Sequence, residues 1–173
     1  LQAEGSWQMG LNHGKSQALL DYYSHAESAD AGLTREYRPL YVDVKAGEYI
    51  NVHACGNSNS DTLRILILDD SATAGNDSRG LVANSNIWNG SGDGYVSCND
   101  NFSSLSNPLQ YHSTTGGTYE IRLYNDSQNS NNNIKDVLQR FDVTVSSSSS
   151  RSNINPRENG GRLWAKRMGF NAG

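Results

Sequence analysis

The chain has 173 residues and a formal charge of −4, with 35% hydrophobic, 18% charged and 17 glycine residues. That length suits one well-packed domain with tails. No basic stripe is present to neutralise phosphates, which excludes a nucleic-acid partner, and no apolar run is long enough to insert in a bilayer as a helix. Loops rich in Asn, Ser, Thr and Gly, with few Lys, point to an extracellular protein or one on a bacterial cell surface.

In chain order, Trp7, Met9 and Leu11 alternate with polar residues and predict a short strand. Residues 16–31 carry Leu19, Leu20, Tyr22 and Tyr23, a pattern that does not decide between helix and strand. Regular structure begins near residue 38. Leu40, Val42 and Val44 alternate with Tyr41, Asp43 and Lys45, and a turn at Ala46, Gly47 and Glu48 follows. Ile50, Val52 and Ala54 then alternate with Tyr49, Asn51 and His53. The two runs are predicted to form a hairpin with one face in and one out.

Residues 63–68 supply Leu63, Ile65 and Ile67 on one face and Arg64, Leu66 and Leu68 on the other. A strand so apolar on both faces, with β-branched Ile, is predicted to lie centrally in a sheet. Short strands are expected at 81–83 and around Ile87 and Trp88, with a glycine-rich loop at 89–94. Further strands are expected at 109–113, 119–124 and 138–145, the last with Phe141, Val143 and Val145 facing in. Residues 125–133 read as an exposed loop. The count, roughly seven to nine short strands with turn signals between them, predicts an all-β fold, an antiparallel β-sandwich of jelly-roll-like form.

The expected domain plan has an N-terminal segment (1–37) packed on the sandwich (38–146), then a Ser- and Asn-rich linker (147–161). Residues 162–173 regain an aromatic and apolar pattern with Leu163, Trp164 and Phe170, the expected start of a following region. The reading is of a module covalently joined to neighbouring domains.

Cys55 and Cys98 are the two cysteines. A disulfide between them closes a loop of about 44 residues, for which chain entropy gives roughly 4 kcal/mol. Two buried free thiols are the alternative. The extracellular composition favours the bridge, and neither cysteine has a second one at zinc-ligand spacing.

Three chemistries compete. Calcium takes oxygen ligands from loops. Asp69, Asp70, Asn76 and Asp77 follow the central strand, and Asp93, Asn99 and Asp100 lie in a second loop region. Their spacing is not that of an EF-hand, and the same residue types form turns by bonding their own backbone. Sugars are held by exposed aromatic rings with polar neighbours, and Trp88, Tyr95, Tyr111 and Tyr124 lie beside polar loops; packing at the core or rim is the alternative for each. Hydrolysis would draw on four histidines, His13, His25, His53 and His112, with Ser and Asp. No nucleophile elbow or phosphate loop is present, and His53 and His112 fall on the polar faces of strands. No catalytic role is expected.

Residues 61–69 (Asp-Thr-Leu-Arg-Ile-Leu-Ile-Leu-Asp), 117–124 (Gly-Thr-Tyr-Glu-Ile-Arg-Leu-Tyr) and 141–145 (Phe-Asp-Val-Thr-Val) resemble the bacterial pre-peptidase C-terminal type of β-sandwich over residues 38–146. The resemblance implies an exported, non-catalytic appendage, with calcium or polysaccharide binding in some members. The cysteine pair and the long insert at 76–107 depart from the pattern. Residues 4–12 and 161–173 resemble segments near the N-terminus of very large secreted or cell-surface bacterial proteins. The expected role is structural or adhesive, toward a glycan or a host or cell-surface component, with a carbohydrate-binding module of a secreted hydrolase as the alternative.

Overall fold

The computed structural model describes residues 19, 40–56, 62–96, 98, 107–125, 134 and 138–147. The expected strand around Trp7, the uncertain run near Tyr22, the exposed loop after residue 125, most of the Ser-rich linker and the region 162–173 lie outside the described residues.

Among the described residues there are seven strands: β1 (Leu40–Val44), β2 (Tyr49–Gly56), β3 (Thr62–Leu68), β4 (Leu81–Trp88), β5 (Leu109–His112), β6 (Gly117–Asn125) and β7 (Leu138–Ser146). They make two sheets, one of four strands in the order β1-β6-β3-β4 and one of three in the order β5-β2-β7. Every strand pair is antiparallel. The protein is an all-β antiparallel sandwich.

Period-two alternation builds the core. Leu40, Val42 and Val44 of β1, Leu63, Ile65 and Ile67 of β3, and Tyr119, Ile121 and Leu123 of β6 face Ile50, Val52 and Ala54 of β2. Phe141, Val143 and Val145 of β7 complete the opposing layer, and Leu19 and Ile134 add their side chains. β3 lies between β6 and β4, in the interior position its two apolar faces predict.

Two expectations are corrected. β1 and β2 are joined by the expected tight turn, where Glu48 N donates to Lys45 O at 3.0 Å, but they do not pair. β1 pairs with β6, while β2 pairs with β5 and β7. The turn crosses from one sheet to the other, and the connection from β5 to β6 crosses beside it. Gly47 N bonds Ser113 O at 2.7 Å and Ser113 N bonds Glu48 O at 2.9 Å, which ties the two crossings together. Gly116 fits there at φ 74°, because a Cβ would meet Ala46 N at 2.8 Å. Second, the short strands expected near residues 81 and 87 are one continuous strand, β4. A register shift opposite Ile67 and Leu68 absorbs Val82, as a β-bulge does, and the polar run Asn84, Ser85 and Asn86 separates the two apolar ends.

Cys55 and Cys98 form a disulfide across 43 positions. It fastens the loop after β4 to the end of β2, beside an isolated bridge between Ala54 and Tyr95. We predict that Cys98→Ser lowers unfolding free energy by up to about 4 kcal/mol, read from the urea midpoint. Reductant will shift the wild type toward the variant and leave the variant itself unmoved.

Candidate functional site

β3 places Arg64, Leu66 and Leu68 on the outer face of the four-stranded sheet, and β6 places Glu120, Arg122 and Tyr124 beside them. Apolar groups on an outer face need a cover. The turn from Asp69 to Gly80 supplies it, since Leu66, Leu68 and Tyr124 are buried together with Ala72 packed against them.

Arg122 fastens this turn. Its side chain is 0% exposed, and its Nη1 donates to Asp77 Oδ1 at 2.9 Å and to Asn76 O at 2.8 Å. Nη2 donates to Thr73 O at 3.0 Å, and Nε donates to Glu120 Oε2. Asp77 also accepts from the Tyr124 hydroxyl at 2.7 Å and from Arg64 Nη1 at 3.2 Å. The Arg64 guanidinium lies over the Tyr124 ring, 4.5 Å from its centroid. A buried guanidinium is stable only with its donors satisfied and a counter-charge at hand, and the turn delivers both.

Three of the residues expected for calcium, Asp69, Asn76 and Asp77, have side-chain oxygens bonded to protein groups. Asp77 is bonded to two arginines and a tyrosine. Asp69 Oδ1 accepts from the Ser71 hydroxyl at 2.5 Å and from Ser71 N at 2.9 Å; these bonds, the hydroxyl's first, hold its carboxyl below the usual carboxylate value. Asn76 Oδ1 caps Ser78 N and Arg79 N at 2.9 and 3.1 Å. Asp70 and Asp93 are exposed, and Asp93 offers its backbone oxygen to Ser85 Oγ at 2.6 Å. Asn99 and Asp100 lie outside the described residues. Among the described residues, no three His, Cys, Asp or Glu stand close enough to share a metal ion.

The four aromatic candidates do not form one platform. Tyr124 is buried under Arg64. Tyr95 packs against the core, and its hydroxyl accepts from Gly56 N at 3.1 Å. Tyr111 also packs against the core, with its ring tilted on Tyr119 at 5.4 Å between centroids; burial first, then Tyr119, pushes its phenol up. Trp88 alone of the four stands out, at 65% exposed. Trp88 N bonds Ser91 O at 2.9 Å and Ser91 N returns to Trp88 O at 3.0 Å. Asn89 and Gly90, at φ 53° and 73°, close the turn between them, the positive-φ pair that a two-residue hairpin requires.

Of the histidines on the strands, His53 is 1% exposed, which corrects the expectation of a solvent-facing residue. His112 is exposed and stacks on Tyr49, with centroids 4.2 Å apart. Sequence reasoning passed over Arg64, Arg122 and Glu120. The signal was there in Leu66 and Leu68, outward apolar residues that oblige something to lie over them.

Comparison with known proteins finds no matching family model, no matching curated protein and no matching solved structure.

Three outcomes follow from this geometry. Asp77→Asn removes the counter-charge of Arg122 and Arg64 and will cost about 2–3 kcal/mol, read by urea unfolding. The wild-type melting temperature will be the same in EDTA and in calcium, because the side-chain oxygens of Asp69, Asn76 and Asp77 are bonded to protein groups. On the acid side, the lowered Asp69 value means stability present above the unfolded carboxylate value and lost as pH falls through the folded one. Asp69→Ala will therefore flatten the acid limb of the stability–pH curve, by only a few tenths of a kcal/mol because the group is largely in water.

Proposed function

We propose that the chain is a non-catalytic extracellular β-sandwich module of a larger surface or secreted protein, with a structural or adhesive role. The observation that carries this reading is the Cys55–Cys98 disulfide. Bridges of this kind persist in oxidising compartments and are rare where thiols are kept reduced. The neutral polar loops and the loose resemblance to exported bacterial appendage domains support it. So does the use made of the charged side chains: Asp77, Glu120, Arg64 and Arg122 hold a turn on a sheet. Calcium forms no part of the reading, because Asp77 and Asn76, two of the residues expected to bind it, serve that same turn.

The test compares the chain produced with export and without it. Exported protein will show no free thiol after denaturation, will keep its melting temperature, and will bind as a labelled probe to cell or matrix surfaces in a saturable way. A protein whose thiols stay reduced in its native compartment would overturn the extracellular part. Turnover of an ester, peptide or glycoside that disappears in His53→Ala or His112→Ala would overturn the non-catalytic part.

A further inference from the structure

We propose that the outward face of β4, with the hairpin that follows it, binds a neutral glycan, with Trp88 as the stacking surface and Asn84 and Asn86 as the polar contacts. This rests on the adhesive reading above and names the ligand class and the place.

The four-stranded sheet has an outer face divided in two. Over β3 and β6 the turn from Asp69 to Gly80 closes it, leaving Leu66, Leu68, Arg122 and Tyr124 buried. Over β4 it is open. The register with β3 puts Leu81, Asn84, Asn86 and Trp88 outward, opposite Leu68, Leu66, Arg64 and Thr62. All four are exposed, while Ser85 and Ile87 between them are buried. The strip thus holds an indole at one end, two amides in the middle and a leucine at the other end.

Its geometry is fixed by the backbone. Trp88 is paired with Thr62 on one side and locked to Ser91 on the other. The chain then folds tightly back on β4: a Cβ at Gly92 would meet Asn86 O at 2.6 Å. Ser85 Oγ donates to Asp93 O at 2.6 Å, which holds the returning segment in place. An aromatic side chain on so rigid a support has two torsions to lose on binding, so little affinity is spent in ordering it.

The chemistry of the strip selects the ligand. A pyranose ring offers a face of C–H groups to an indole and a rim of hydroxyls to amides, and an amide both donates and accepts. From Leu81 through Gly92 no side chain is ionisable. Arg64, opposite Asn86, is paired with Asp77 at 3.2 Å, and Asp93, next in the chain and exposed, adds a negative charge that disfavours an anion. An uncharged strip is matched by an uncharged ligand, because an acidic glycan would lose water here and meet no counter-charge. Asn84 to Trp88 spans roughly 13 Å of strand, a length that suits a short oligosaccharide rather than a single ring.

The experiment is isothermal titration of the full chain with neutral linear hexasaccharides of glucose, mannose, xylose and N-acetylglucosamine. Oligogalacturonate forms the acidic arm. At least one neutral oligosaccharide is expected to bind, with affinity reduced roughly tenfold or more by Trp88→Ala and severalfold by Asn86→Ala. Because Trp88 is exposed, the variant will keep the wild-type melting temperature. Failure of every neutral oligosaccharide, preference for the acidic arm, or binding untouched by Trp88→Ala would each overturn the proposal. Saturable binding to surfaces that survives such a failure leaves the adhesive reading standing and removes only the glycan strip.

Discussion

Taking the Arg122 guanidinium wholly out of water is the constraint from which the outer surface of the larger sheet follows. An isolated buried cation is prohibitively costly, and the cost is met only where acceptors surround it. Glu120 lies two positions away on the same strand, but one carboxylate leaves most of the guanidinium fork unsatisfied. The remaining acceptors, Thr73 O, Asn76 O and Asp77 Oδ1, come from a turn more than forty positions earlier in the chain. Binding them draws that turn across the sheet, and the turn in its descent shuts Leu66, Leu68 and Tyr124 away from water. Polar and apolar terms therefore favour the same conformation. The buried charge sets where the turn lies, and the covered leucines add hydrophobic stabilisation.

That arrangement also sets where the molecule can meet a partner. The turn covers two of the four strands and stops short of β4, whose outward residues stay in contact with solvent. At the outer edge of β4, the two hairpin bonds between Trp88 and Ser91 occupy backbone groups that would otherwise template another strand. This is a common way for a sandwich to protect an edge from aggregation. The same local closure gives Trp88 its fixed pose, so edge protection and presentation of the indole share one turn.

Much of this architecture is legible in the sequence. The inward sets on β1, β2, β3, β6 and β7 follow from alternation alone, as does the interior position of β3, and the cysteine pair follows from composition and compartment. Alternation says which face a residue occupies and nothing about which strand lies alongside, so β1 and β2 read as a hairpin although they belong to opposite sheets. Asn84, Ser85 and Asn86 put polar side chains on both faces of β4, and this broke one strand into two apparent fragments. The role of Asp77 was hidden for a different reason. An aspartate in a turn bonds its own backbone, binds a cation or pairs with a distant arginine, and only the fold decides among these. Arg122, 45 positions away in sequence, is beyond the reach of any local pattern.

The smaller sheet shows that burial of polar groups on an outer face recurs in this molecule. Asn51 of β2 is 0% exposed, yet its amide nitrogen donates to Ser146 Oγ at 3.0 Å and its oxygen accepts from Gln110 Nε2 at 2.6 Å. One side chain thus links all three strands across the face. Toward the disulfide end of β7, Arg140 Nε donates to Asp142 Oδ2 at 3.0 Å. Such cross-strand contacts fix register more firmly than a row of interchangeable aliphatic groups could. A slip by one residue would carry Asn51 into the core and leave its amide without partners. Arg122 anchors a turn on one outer face and Asn51 locks the pairing on the other, each because a buried polar group accepts only one arrangement of its neighbours. The two aliphatic layers between them supply the bulk of the stabilisation and tolerate more than one packing, so the uniqueness of this sandwich rests on its two polar outer surfaces.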